Sequence, residues 1–511
     1  MKAGEPIGKG MEHRENNQFK QSMMHTPNRT IPTVFFAIAL AILALTFMTP
    51  DERYVAGPGL ACVVMVLWLW MTLWDRDRKI PFFDVGIFCA LATLVYSVYP
   101  LLNYWAEGLK FGVRSDVRLQ SFNITPSELG LFHLRHVLYL FFFVIFYSAF
   151  RGKGTDNSVT VSSPNRSNRK TIILFFLLGT GYFYFLRLLT GVNFNTSYES
   201  EAYANNMTAI AKLPLLLLQI SLKLAGILFV FKLALLFIVV SRCKQKKWRS
   251  ILFIWIAAEI IQTVFIKGAR TGLVLFLMAA ALLYHRLIRP FTFKFLISSG
   301  ALLFVLFIFL GVYRNYSSTD EMKASLPLNI ASTFSTNNEF QVLLGNAYDV
   351  KQRKDAGVFL PWYLYINDII TILPPQQIVP FEKVPASEWY LREIGLSGTG
   401  LGLMWGVITQ SIVGLDWLEL ALRGALLGYI LARFHRWYLK RQSGFLTTLI
   451  YGFFCLKMYY TFRDTTFSPL ANLIWEVIPF YIILRLGGTS LTRKKHTGPG
   501  QRITAPLTKQ E

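Results

Sequence analysis

Cysteine is scarce in this sequence. Four residues in 511, Cys62, Cys89, Cys243 and Cys455, lie without metal-ligand spacing or an outer pair, which argues against a disulfide framework and a structural zinc. Carboxylates are few as well, 29 Asp and Glu against 52 Lys and Arg. There is no HExxH zinc pattern and no nucleotide-binding glycine loop. No internal repeat of the kind many secondary transporters carry is visible. No small-residue cleavage site follows the first apolar run at 31–49, so that run is expected to stay as a span. Neither a metal nor a cofactor is expected.

What the chain does have is apolar residues, 53% of the total, with a mean hydropathy of +0.41. They fall in runs of about twenty, the length that crosses a ~30 Å hydrocarbon core as helix. The expected fold is all-α, a polytopic transmembrane helical bundle of about 12 spans: 31–49, 55–74, 82–102, 132–150, 171–190, 213–240, 250–266, 271–285, 295–313, 415–432, 444–461 and 469–486. The further apolar run 401–413 is expected to be half-inserted or on the surface, because a full crossing would put the basic RFHRWYLKR on the outer side.

A formal charge of +23 would suit nucleic acid if it were concentrated on one face. Counting spans in order instead collects Arg76, Arg78, Lys79 and the basic stretches 151–170, 242–249, 286–294, 433–441 and 493–495 on one side. The positive-inside rule makes that side cytoplasmic, with both termini on it and no nucleic-acid partner. The chain then divides into a cytoplasmic tail (1–30), nine spans (31–313), a large outer loop with re-entrant or surface helices (314–414), three more spans (415–486) and a second cytoplasmic tail (487–511).

Long loops between spans are where function concentrates, and the polar stretch 314–400 is the one outer connection large enough to shelter a reaction. Within it PWYLYINDIITILPP (361–375) reads as a short helix, either on the membrane surface or inside a small core of the loop itself. Arg270, in FIKGARTGLVLFLMAAALLY, stands at the outer turn of a tight hairpin, before a helix that Thr271 can cap. Free amides, the helix dipole and a guanidinium fork together suit a phosphate; an arginine snorkelling to lipid headgroups is the alternative.

Arg114, Arg118, Arg135, Arg314, Arg392 and Arg463 also fall on the outer side, against the charge rule. A diphosphate would account for them, and solvated loop charges are the alternative, less so at Arg314 and Arg463 beside spans. Asp464 follows Arg463 and either orients it, acts as a base or simply pairs with it. Inside spans, Glu419 and Arg423 stand one turn apart and should neutralise each other. Lys223 and Glu259 are expected to pair, or to line a proton or ion path.

The series FIKGARTGLVLFLMAAALLYHRL, the large outer loop, PPQQIVP, LSGTGLGLMWGVITQSIVGLDWLELALRGALLGYILARF and FRDTTF resembles the Wzy-type oligosaccharide repeat unit polymerases, the O-antigen polymerase family, over about 265–486. The resemblance implies a GT-C-like bundle in the bacterial inner membrane and a glycosyltransferase working on its periplasmic face. Such an enzyme moves a growing glycan from undecaprenyl diphosphate to a sugar hydroxyl on the next lipid-linked unit, inverting the anomeric centre, with no nucleotide sugar. It implies membrane lipid, a flippase and a chain-length regulator as partners. Diphosphate binding would fall to Arg270, Arg314, Arg392 and Arg463.

The transfer needs a base, for which Glu339 in FSTNNEFQVLL and Asp464 are the catalytic candidates, with His133 and His136 at the outer end of the fourth span behind them. Two departures from the family pattern stand out. No carboxylate lies between Ile394 and Leu415, and the eleventh residue after Arg392 is Leu403 rather than glycine. The large loop holds no histidine, which favours a polymerase over the related O-antigen ligases. A flippase for lipid-linked sugars is the reading from another class.

Overall fold

The computed structural model describes residues 30–77, 82–107, 112–114, 121–152, 161–192, 205–206, 208–210, 212–265, 270–292, 294–295, 298–300, 302, 305, 339–359, 361, 386–393, 395, 405–463, 466 and 468–492. The helices are α1 (Thr30–Thr46), α2 (Pro50–Asp77), α3 (Val85–Glu107), α4 (Pro126–Phe150), α5 (Arg166–Thr190), α6 (Leu215–Ser241), α7 (Lys246–Phe265) and α8 (Arg270–Leu287). Then come α9 (Glu339–Asp355), α10 (Ala386–Glu393), α11 (Gly406–Val413), α12 (Trp417–Arg441), α13 (Phe445–Lys457), α14 (Tyr460–Arg463) and α15 (Ser468–Asn472). A π turn at Leu473–Val477 joins α15 to α16 (Ile478–Thr492). One short antiparallel pair, β1 (Gly112–Arg114) with β2 (Ser121–Asn123), departs from the all-α expectation without altering the architecture.

Five helical stretches are long and apolar enough to cross a membrane: Pro50–Asp77, Pro126–Phe150, Arg166–Thr190, Leu216–Ser241 and Ser468–Gly487. Thr30–Thr46, Val85–Val98, Gly272–Leu287 and Phe445–Lys457 are apolar but shorter. The expected spans 250–266 and 415–432 fall on α7 and α12, which are as long but carry more charge. Most of the expected span at 295–313, and the stretches 314–338 and 362–385, lie outside the described residues. On α5, Leu177 is 62% exposed and Leu188 85%, a continuous greasy surface that suits lipid and not water.

Helix ends follow the local chemistry. Thr125 caps α4 in a full capping box: the Glu128 amide donates to Thr125 Oγ1 (3.3 Å), the Thr125 amide donates to Glu128 Oε2 (3.0 Å), and Pro126 opens the helix. Asn165 caps α5, which stops at Gly191, where φ is 72°.

Close backbone packing fixes the directions of the core helices. A Cβ added at Gly424 would stand 2.4 Å from the Tyr139 carbonyl oxygen, and one at Gly428 2.6 Å from that of Phe143, so α4 and α12 run parallel in near contact. This is the small-xxx-small device by which helices associate where lipid and neighbour are equally apolar. Gly130 meets the Tyr54 carbonyl in the same way, and Arg76 Nη1 donates to the Ser148 carbonyl (2.9 Å), so α2 is parallel to α4 as well. α3 and α13 run the other way, Tyr451 bonding the Val85 amide (2.9 Å) at one end and Tyr96 stacking near Phe462 (5.4 Å) at the other.

The bundle therefore has two distinct ends. One carries Arg151, whose fork holds Asp84 (2.8 Å) and Asp77 (3.1 Å). Tyr147 also donates to Asp84 (2.7 Å), His435 meets Tyr451 (2.5 Å), and Arg286 bonds Tyr438 (2.9 Å). This basic end ties α2, α3, α4, α8, α12 and α13 together. At the opposite end α2, α4 and α12 begin, and His133 and His136 lie there.

Two expectations are corrected. Glu259 pairs with Lys232 (2.6 Å), not Lys223, whose ammonium lies 4.9 Å from the Trp475 ring; Lys232 faces α7 in the hairpin, and Lys223 does not. The run 401–413 was expected half-inserted or on the surface; in its described part, Trp405 and all eight residues of α11 are buried within the protein and not on its surface. At about 1.5 Å per residue α11 is too short to cross a membrane.

Candidate functional site

The histidine end is built around one sharp corner. α11 stops at Gly414, and α12 starts at Trp417. Lys354, from the last turn of α9, donates to the carbonyl oxygens of Ile412 (2.6 Å) and Gly414 (3.1 Å), placing a cation on the carbonyls that a helix end leaves unbonded. Asp416 completes the turn with its amide on the Ser411 carbonyl (2.7 Å) and a backbone at φ 52°, ψ −118°, a conformation that glycine adopts freely and aspartate does not.

Arg135 on α4 holds that residue in place. Its Nε and Nη2 donate to the two carboxylate oxygens of Asp416 at 2.9 and 3.0 Å, a bidentate fork. The guanidinium also stands 4.5 Å from the Trp417 ring and 5.3 Å from that of Phe132. Arg135 was expected as an outer arginine, on a diphosphate or as a solvated loop charge; it is instead buried and paired with Asp416, because the capping box starts α4 at Pro126, ahead of the expected 132, and puts Arg135 in the third turn of the helix. One turn into α12, Arg423 pairs with Glu419 as expected (2.7 Å) and also donates to Thr466 (3.3 Å), while Glu419 accepts from the Leu415 amide (3.0 Å).

Beside this corner is a cavity of about 40 Å³, walled by α3, α4, α9, α11 and α14. Tyr96, Leu343, Thr409 and Phe462 line it together with His133 and His136. The two imidazoles stack at 5.1 Å, and His136 stacks on Phe462 at 5.3 Å. Both histidines are buried, and neither nitrogen of His133 nor Nδ1 of His136 has a hydrogen-bond partner in the protein. Tyr139 Oη, one turn further along α4, is in the same condition. α10 is fastened to α9 from outside by the Tyr390 hydroxyl, which donates to Asp349. Among the described residues, no three His, Cys, Asp or Glu side chains come together in an arrangement that would hold a metal ion.

The candidates named from the sequence are distributed unevenly about this cavity. Glu339 opens α9 one turn before the cavity-lining Leu343, and Arg463 ends α14 directly after the cavity-lining Phe462; both backbones are described and their side chains are not. Arg270 heads α8, again with its side chain outside the description. Arg314 and Asp464 lie outside the described residues. Arg392 is exposed, 3.7 Å from Glu388 one turn back on α10. The Arg135–Asp416 fork and the meeting of α9 and α11 at the histidines went unforeseen. The readable signal was HLRH, three polar side chains interrupting an otherwise apolar run.

Protein-family models, curated proteins and solved structures were all compared with the chain, and none matches it.

Proposed function

We propose that this chain is a multi-pass glycosyltransferase of the bacterial inner membrane that joins undecaprenyl-diphosphate-linked oligosaccharide repeat units into a surface polysaccharide, O-antigen or a capsule or exopolysaccharide. The observation that carries the reading is the packing of α9 and α11 onto the histidine end. α9 and α11 pack into the bundle and, with α4, enclose a histidine-bearing cavity beside two buried ion pairs. A segment that only linked two spans would have no cause to bury eight consecutive residues of α11.

The basic end, with Arg151, Arg286, Arg433, Arg436, Lys440 and Arg441, faces the cytoplasm in this reading, and the histidine end faces the periplasm. The donor glycan leaves its diphosphate as a sugar hydroxyl of the acceptor unit attacks the anomeric carbon. Charge grows on the departing diphosphate, so fixed guanidinium groups assist the step most in the transition state. Arg270, Arg463, Arg314 and Arg392 are the residues proposed for that role, and Glu339 and Asp464 the proposed carboxylates.

A second reading, a flippase for lipid-linked sugars, is favoured by one feature. The Lys232–Glu259 (2.6 Å) and Lys457–Glu476 (3.1 Å) pairs lie on apolar helices, where charge is costly and usually functional. Purified protein incubated with one synthetic lipid-linked repeat unit decides between them. A ladder of products supports the polymerase; unit crossing into sealed vesicles without a ladder supports the flippase. In cells, loss of a polymerase leaves single repeat units attached, loss of a flippase leaves none, and loss of a ligase strands whole chains on carrier lipid.

A further inference from the structure

The turn between α6 and α7 gathers five cations in eight positions, Arg242, Lys244, Lys246, Lys247 and Arg249, and no carboxylate occurs in the sequence between Glu201 and Glu259. The positive-inside rule accounts for charge at such a turn but not for its arrangement. Arg249 is spent on the turn itself, its Nε donating to the Cys243 carbonyl (2.7 Å) and its Nη2 to that of Lys244 (3.2 Å). Arg242 lies over the half-buried Trp248 ring at 4.7 Å. Lys244, Lys246 and Lys247 are exposed, and among the described residues no carboxylate pairs with them.

The two lysines of α7 stand at the head of a greasy stripe. Phe253 and Ile254 follow Lys246 and Lys247 by seven residues, about two helical turns, and so come out on the same side of α7; Ile261 continues that side two turns further on. These three are 73%, 65% and 55% exposed. The opposite side is the one that packs. There the Trp255 ring meets Phe276 of α8 (5.4 Å), and Glu259 pairs with Lys232 of α6 (2.6 Å). Down its free face α7 therefore presents ammonium groups, then Ser250, then apolar side chains about 10 Å along the axis.

That order matches one class of molecule. A phospholipid holds its phosphate at the level where interfacial tryptophans lie, with its acyl chains below, and each Lys or Arg near an anionic membrane surface strengthens the attraction about fivefold. A soluble acidic partner or a nucleic acid would meet charge for one turn and grease beyond it. We propose that α7 carries a binding site for an anionic phospholipid, its phosphate held by Lys246 and Lys247 and its acyl chains laid along Phe253, Ile254 and Ile261. The turn is preformed, since the Arg249 bonds and the Trp248 amide on the Gln245 carbonyl (3.2 Å) fix it without a lipid. The site does not depend on the choice between polymerase and flippase, because α7 forms no wall of the histidine cavity.

The test places the full-length protein in phosphatidylcholine vesicles containing a small fraction of phosphatidylglycerol with a photoactivatable diazirine in one acyl chain. Phosphatidylcholine carrying the same diazirine is the control lipid, and crosslinks are mapped by peptide mass spectrometry. In the wild type, the anionic probe should label residues 250–261 about fivefold or more above the control, and the double variant Lys246→Gln, Lys247→Gln should bring that ratio down to about one. Arg166→Gln with Lys170→Gln removes two exposed charges from the start of α5 and should leave the ratio unchanged. All four positions are exposed, and melting temperature confirms that each variant is folded. Equal labelling by the two lipids in the wild type overturns the proposal and leaves the lysines to a soluble acidic partner. A ratio that survives the α7 variant overturns it as well. So does one that the α5 variant lowers equally, which would make the attraction one of net charge and not of this site.

Discussion

Removing the Asp416 carboxylate separates three energies that the corner combines. The pair is unevenly buried: the Arg135 side chain is 4% exposed and that of Asp416 27%. Asp416→Ala therefore leaves a guanidinium buried without its partner, a loss that typically costs about 3–5 kcal/mol. The Trp417 and Phe132 rings remain beside it and each contributes about 0.5–2 kcal/mol, which puts the expected cost near the lower figure, about 3 kcal/mol. Arg135→Met leaves the more exposed Asp416 within reach of water and should cost less, about 1–2 kcal/mol. The backbone is the third energy. At φ 52° an alanine keeps the strain of the aspartate, whereas a glycine loses it, so Asp416→Gly should be less damaging than Asp416→Ala by about 1 kcal/mol or more. Unfolding by SDS titration in mixed micelles, followed by tryptophan fluorescence, measures all three variants. The reasoning is refuted if Arg135→Met is the worst of the three, or if glycine at 416 is no better than alanine.

Gly424→Ala should push α4 and α12 apart, because its Cβ would fall 2.4 Å from the Tyr139 carbonyl oxygen; about 1–3 kcal/mol of stability should be lost. Gly272→Ala, where nothing lies within 4 Å of the added Cβ, is the matched control and should be neutral or stabilising in the same titration. Lys354→Met removes both bonds to the Ile412 and Gly414 carbonyls, and should cost about 1–3 kcal/mol and speed amide exchange around 412–416. Arg270→Ala should abolish chain growth with membrane insertion intact, and Arg270→Lys should recover little of it for lack of a bidentate fork. Polymer of unchanged length from the alanine variant would remove Arg270 from the reaction.

The sequence announced the helices better than their partners. Apolar runs of spanning length place α2, α4, α5 and α6 because lipid demands one residue type along the whole crossing. The i,i+4 spacing of Glu419 and Arg423 sufficed for that pair because both lie on one helix. Pairing between helices depends on depth and face together, and apolar runs with uncertain ends give neither. Lys223 stands more than two turns, at about 3.6 residues each, beyond Lys232 along α6, so the two cannot both face Glu259. The histidines were legible as polar residues in an apolar run, but the cavity around them was not. Its walls come from five elements distant in sequence, and α11 looks the same in sequence whether it lies on the bundle or within it.

The polar groups are placed at the ends of the bundle for a physical reason. Between helices in lipid, apolar contact does little to select a partner, since the acyl chains offer the same contact. Selection then falls to backbone approach at small residues and to polar groups that cannot be left unpaired. Here Gly130, Gly424 and Gly428 bring α2, α4 and α12 together, but glycine contacts alone would tolerate a slip along the helix axis. A slip of one turn, about 5.4 Å, would break the Arg151 network at one end and the Arg135–Asp416 fork at the other. Two locks separated by more than half the length of α4 fix the register far more firmly than either alone. The basic-end lock draws on five elements, α2, α3, α4, α12 and α13, and the histidine-end lock chiefly on α4 and α12. The histidine end thus has the smaller lock, and it is there that α9 and α11 are added to the wall of the cavity.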